Sequence, residues 1–114
     1  MDLIYKICPE PLWRVAETSG FFAGSPIDVH DGYLHFSTAR QVPETAGKHF
    51  AGQDDLLLIA VAADRLGDAL RYEPSRGGEL FPHLYAPLPL SAVLWVKRLP
   101  LGPLGDHAMP DLAP

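Results

Sequence analysis

Only one cysteine is present, Cys8, so no internal disulfide can staple the chain and its fold must rest on burial. Cys8 itself reads as a small buried hydrophobe rather than a nucleophile. Long apolar runs are also missing: the longest, Leu56 to Ala63, falls far short of the roughly 18 to 20 residues that a membrane-crossing helix requires. The opening Met1-Asp2-Leu3-Ile4-Tyr5-Lys6 has neither the basic nor the apolar stretch of a secretory leader, and the expected address is cytoplasmic. Basic residues are few and scattered, with Lys97-Arg98 the one adjacent pair, and the formal net charge is -5. A field of that sign repels polyanions, which disfavours nucleic acid and anionic membrane as partners and favours a small ligand. No HExxH or CxxC spacing marks a metal site, so His30, His35 and His83 are not read as ligands, and no G-x-S-x-G elbow marks a serine hydrolase. No internal repeat or heptad occurs.

What is present suffices for one core. The chain has 114 residues, 47% of them hydrophobic, which predicts a single domain over 1–100 and an irregular Pro/Gly-rich tail over 101–114. Leu3 to Cys8 alternates as a first strand, and Glu10 to Ser19, opened by Pro11 and stopped by Gly20, as a short helix. Phe21 to Asp31 has the composition of a loop. Tyr33 to Ser37 reads as a strand, with Leu34 and Phe36 toward the core and Tyr33, His35 and Ser37 together on the opposite face. Thr38-Ala39-Arg40-Gln41 fits a capping box leading a helix to Phe50. Leu56 to Val61, apolar on both faces, is the expected central strand. A short turn or helix over Asp64 to Leu70, a short strand over Leu70 to Glu73, a loop at Pro74 to Gly78 and a last strand from Ala92 to Leu99 complete an α+β reading without βαβ alternation.

Two constellations could carry chemistry. Tyr33, His35 and Ser37 share one strand face, where an imidazole can hydrogen-bond a phosphate or ribose and a phenol ring can stack on a base. The alternative reading makes them a satisfied histidine and a serine that helps to cap the next helix. Glu79-Leu80-Phe81-Pro82-His83-Leu84-Tyr85 follows the Gly77-Gly78 hinge and reads either as an aromatic-rich turn that closes over a ligand or as a plug sealing the core.

Ile4-Tyr5-Lys6-Ile7 with Trp13, Asp31 to Ser37 with Gln41, Leu56 to Val61, and Phe81 to Tyr85 with Pro87-Leu88 together resemble the small bacterial family called domain of unknown function 952, over nearly the whole chain. That resemblance implies an ADP-ribosyltransferase-like fold with a central mixed or antiparallel sheet and a few short helices. The motif order is also distantly similar to RNA 2′-phosphotransferases, which use NAD. Their His-x-Ser strand matches His35-Phe36-Ser37, whereas their Tyr-His-Gly-Thr motif corresponds to Tyr5-Lys6-Ile7-Cys8, without the histidine and glycine. The implied function is NAD-dependent ADP-ribosyl or phosphoryl transfer or NAD glycohydrolysis. The alternatives are a non-catalytic nucleotide- or metabolite-binding module and a structural core acting through a partner surface. On the transferase reading His35, Glu79 and His83 are catalytic, Lys6, Tyr33, Ser37, Arg40 and Tyr85 hold the cofactor, and Glu73 is the other available carboxylate. Breaking a nicotinamide–ribose bond builds positive charge on the sugar, which is why a carboxylate is sought.

Overall fold

The computed structural model describes residues 2–113, Arg76 by its backbone. It is an α+β architecture of antiparallel sheets and few helices. The single central sheet expected is divided: β1 (Leu3–Pro9), β4 (Leu56–Ala62) and β8 (Val93–Arg98) form one sheet in the order β1-β4-β8. A second sheet runs β3-β6-β5, from β3 (Leu34–His35), β5 (Leu70–Pro74) and β6 (Leu80–Leu84), and β2 (Phe21–Phe22) pairs with β7 (Leu88–Pro89). Three helices, α1 (Glu10–Ser19), α2 (Pro26–Asp31) and α3 (Val42–His49), fill the connections.

β4 explains why the chain folds around it. All seven of its residues are buried, and strand alternation sends them to two different layers. Leu57, Ile59 and Val61 pack with Trp13, Ala16 and Phe22, while Leu56, Leu58 and Ala60 pack with Tyr5, Val42 and Ala46. α1 supplies Trp13 and Ala16 to the first layer and stops at Gly20, whose φ of 88° is open to glycine and whose N–H returns to the Ala16 carbonyl. α3 supplies Val42 and Ala46 to the second. It follows the Thr38/Gln41 capping box predicted from sequence, through one 3-10 turn, and ends at His49.

The segment read as a loop from Phe21 to Asp31 holds β2 and α2. Ser25 and Asp28 form a capping box there, with the Ser25 N–H donating to Asp28 Oδ2 at 2.8 Å. The chain reaches it through Gly24 at φ +118°, where an added Cβ would sit 3.0 Å from both Asp28 Cβ and Leu34 Cδ2, so only glycine fits.

The segment 79–85, read as a turn, contains the central strand of the second sheet despite Pro82. A narrow antiparallel pair exchanges two bonds. Phe36 N–H donates to the Pro82 carbonyl, and the reciprocal bond is the one proline forfeits, just where β3 ends.

The two large sheets meet at one bridge. Tyr5 and Ser37 exchange both backbone bonds at 2.8 Å, which sets Lys6 of β1 beside His35 of β3. Beyond Pro100 the chain is irregular but fastened: Tyr5 Oη, Trp95 Nε1 and Lys97 Nζ donate to the carbonyls of Leu112, Ala113 and Asp111 at 2.8, 3.0 and 2.7 Å. Among the described residues no helix is long and apolar enough to cross a membrane.

Candidate functional site

A cavity of about 620 Å³ opens where the two large sheets meet, within the size range of small-molecule sites. Lys6 of β1, Asp28 and Asp31 of α2, His35 of β3, Thr45 and His49 of α3, and Phe81 and His83 of β6 all line it. Tyr33 and Ser37 line it too. Ile7, Leu12, Ile27 and Phe50 supply apolar wall.

Asp28 is the structural centre of one side. It is 1% exposed and its carboxylate is saturated. Oδ1 accepts from His35 Nδ1–H at 2.6 Å and from the His35 backbone N–H at 2.9 Å. Lys6 Nζ lies 2.9 Å from Oδ2, which also takes both Ser25 donors. Burial alone would push this carboxyl up. The His35 bond, the Lys6 charge and the backbone donors outweigh it and hold Asp28 well below the ordinary carboxylate range. For Lys6, itself fully enclosed, burial lowers the ammonium pKa and the Asp28 charge pushes back. Its Nζ makes a further bond to the His35 carbonyl at 2.8 Å.

His35 is thereby clamped. Nε2 lies 2.9 Å from Asp31 Oδ2, so both ring nitrogens meet carboxylates, and only a ring with two N–H groups donates to both.

The other histidine is arranged differently. His83 stands directly opposite His35 in the β3–β6 register, the ring centroids 5.7 Å apart. Its Nδ1–H donates to Glu73 Oε1 at 2.8 Å, and that same oxygen accepts from Tyr85 Oη at 2.7 Å. The Tyr85 bond and then the His83 bond hold the Glu73 carboxyl below its ordinary value, and the carboxylate in turn raises Tyr85. Tyr33 closes the loop. It stacks on Tyr85 at 5.3 Å and 9°, meets His83 edge-on at 4.1 Å and leans on His35 at 4.7 Å.

The structure therefore brings together Lys6, Tyr33, His35, Ser37 and His83, and places Tyr85 behind Tyr33. It does not bring Glu79 or Arg40 to them. Glu79 precedes β6, roughly 13 Å along an extended chain from His83, and pairs with Arg40 and with Gln41 Nε2. Glu73 is the carboxylate that the cross-strand register delivers instead. His30, expected in a loop, lies on α2, exposed and bonded to Asp31.

Asp28, Asp31, Thr45, His49 and Arg71 were missed. Signals existed for four of them: Ser25-x-x-Asp28 is a capping-box spacing, Asp31 follows it at i+3, and Thr45 and His49 share a helix face at i and i+4. Arg71, which faces His83 across the β5–β6 pair and lies over the Tyr85 ring at 5.1 Å, has no local signal.

The fit to a dinucleotide can be judged from these bonds. Of the groups expected to hold a pyrophosphate, Lys6 is spent on Asp28, Arg40 on Glu79, His35 on two aspartates, and Ser37 on Thr45 at 3.0 Å. Tyr33 and Tyr85, expected to stack on nicotinamide, stack on each other. These residues as arranged do not fit NAD. Among the described residues no cluster is arranged to hold a metal ion.

The family model described as Protein of unknown function (DUF952) matches residues 7–96. The chain belongs to this family. Its architecture also recurs in solved structures. The crystal structure of protein CC0527 from Caulobacter crescentus is 46% identical, covers 93% of each chain and superposes with a TM-score of 0.89. The solution NMR structure of CC0527 is 47% identical over 93% of this chain and 91% of that one, with a TM-score of 0.83. No curated protein matches. The family match spans the whole β3–β6–β5 sheet and therefore both histidine–carboxylate pairs.

Proposed function

We propose that this protein is a small-metabolite-binding module whose cavity takes a nucleoside-like ligand, on an ADP-ribosyltransferase-like scaffold in which β1, β3 and β6 deliver the site. The observation that carries this reading is the Tyr33–His83 pair on the wall of the 620 Å³ cavity, backed from behind by Tyr85 and Glu73. An apolar cleft with a few fixed polar groups is the usual form of a small-molecule site, and an aromatic ring at its wall suits a flat heterocycle. The protein partner groups already satisfied by one another make the site a rigid receptor rather than a set of free phosphate donors.

A second reading, NAD-dependent ADP-ribosyl or phosphoryl transfer or NAD glycohydrolysis, is favoured by one observation: Lys6, His35 and His83, aligned only by motif order, line the same cavity. No step is assigned to NAD, since its pyrophosphate does not fit the engaged donors.

Calorimetric titration with adenosine, ADP-ribose and NAD, with nicotinamide release followed in the same samples, separates the readings. Adenosine binding without nicotinamide release is the expected result. Release of nicotinamide on adding NAD would replace the module with the enzyme, and absence of binding by all three compounds would sink both.

A further inference from the structure

The two histidines on the cavity wall differ in a way that assigns them different work. His35 has both ring nitrogens committed, Nδ1 to buried Asp28 at 2.6 Å and Nε2 to Asp31 at 2.9 Å. Nothing on the ring is left for a ligand. His83 has one nitrogen committed, Nδ1 to Glu73, and among the described residues no hydrogen bond uses its Nε2. The ring is 3% exposed and lines the cavity.

A carboxylate accepting from Nδ1–H fixes the tautomer and leaves Nε2 with a lone pair, the same logic by which an outer carboxylate orients an imidazole at many sites. Glu73 is itself held by the Tyr85 hydroxyl, and Tyr85 by its stack on Tyr33. Nε2 is not sealed off in the core: it opens to the cavity as an acceptor that no group among the described residues uses, so a ligand donor can take it up.

We infer that Nε2 of His83, held as an acceptor by Glu73, is the polar group this cavity offers its ligand, and that the ligand class bears a hydroxyl or ring N–H donor beside a flat ring. His35 is a positioning residue that ties α2 to β3 through Asp28 and Asp31. This assignment rests on the reading of the cavity as a nucleoside-like site. It separates His35 from His83, which the transferase reading of the sequence grouped together as catalytic.

The test uses imidazole nitrogen NMR on the full chain, free and with adenosine. In the free protein His83 Nε2 should show the shift of an unprotonated acceptor. Glu73→Gln, nearly isosteric, should give a mixture of His83 tautomers and leave His35 unmoved. Adenosine should shift His83 Nε2, and Glu73→Gln and His83→Phe should each weaken its binding, the latter about tenfold, as loss of one neutral hydrogen bond implies. A protonated Nε2 in the free protein, or a tautomer unchanged in Glu73→Gln, overturns the inference whatever binds. Adenosine bound equally by wild type and both variants also overturns it. The expected tautomers with no adenosine or ADP-ribose binding would instead sink the nucleoside-site reading and, with it, the ligand class named here.

Discussion

His83 and Glu73 bond diagonally, not directly, across β5 and β6. The register pairs His83 with Arg71 and Glu73 with Phe81, and the 2.8 Å bond from Nδ1 to Glu73 Oε1 spans to the next residue on the same face. A direct pair would have set the carboxylate against the imidazole and left Tyr85 without an acceptor. The diagonal lets one oxygen serve both.

That shared oxygen makes Tyr85→Phe informative. The substitution keeps the stack on Tyr33 and deletes the hydroxyl donor. The expected shift of the urea unfolding midpoint is small, because Tyr85 is exposed and its hydroxyl can bond to water instead. A midpoint lowered as far as by a core substitution would mean that the network is not organised as described.

Lys6 and Asp28 form a buried ion pair, with side chains 5% and 0% exposed. Lys6→Met should cost about 3 to 5 kcal/mol, because it strands a buried carboxylate. Lys6→Met/Asp28→Asn should cost less than the sum of the single changes. Strict additivity in a double-mutant cycle would show that the pair is not coupled.

Acid stability follows from the same carboxyl. Its folded pKa lies below the unfolded value near 3.9, so the unfolded state binds the proton more tightly. The stabilisation is full above the unfolded pKa and is lost as pH falls toward the folded one. Unfolding free energy should therefore decline from about pH 5 downward, and the decline should be shallower in Asp28→Asn. Parallel curves for the two proteins would refute the assignment.

Cys8 is 1% exposed, and burial pushes its thiol up to about 11. A thiol reagent at pH 8 should react with the native chain many times more slowly than with the chain in denaturant, since the thiolate is the nucleophile. Equal rates would place Cys8 outside the core.

Truncation after His107 removes the carbonyls that hold Tyr5, Trp95 and Lys97. Trp13 is 2% exposed inside the first core layer and keeps its surroundings. The tryptophan emission should shift to the red through Trp95 alone, and an unmoved spectrum would show that the tail does not cover that ring.

The elements legible from sequence were those whose signal is local. α1 was bounded by Pro11 and Gly20, the Thr38/Gln41 capping box by its spacing, and β4 by an apolar run with no polar face. α2 was hidden because glycine, serine, proline and aspartate are common to loops and to helix starts; the Ser25-x-x-Asp28 spacing was the only discriminator. β6 was hidden by Pro82, which argues against a central strand unless the neighbouring strand stops beside it, as β3 does.

By itself the sequence determined the core strand, the Gly20 stop of α1, the Thr38/Gln41 capping box and the shared face of Tyr33, His35 and Ser37, because strand alternation and capping depend only on near neighbours. It also carried the family. Tertiary structure alone decided the partners of the site: which carboxylate meets His83, which pair clamps His35, and that Lys6 and Arg40 are already engaged. Those are contacts between residues far apart in the chain. They are set by sheet register and by the Tyr5–Ser37 bridge, and no local pattern encodes a register between strands that the chain brings together only on folding.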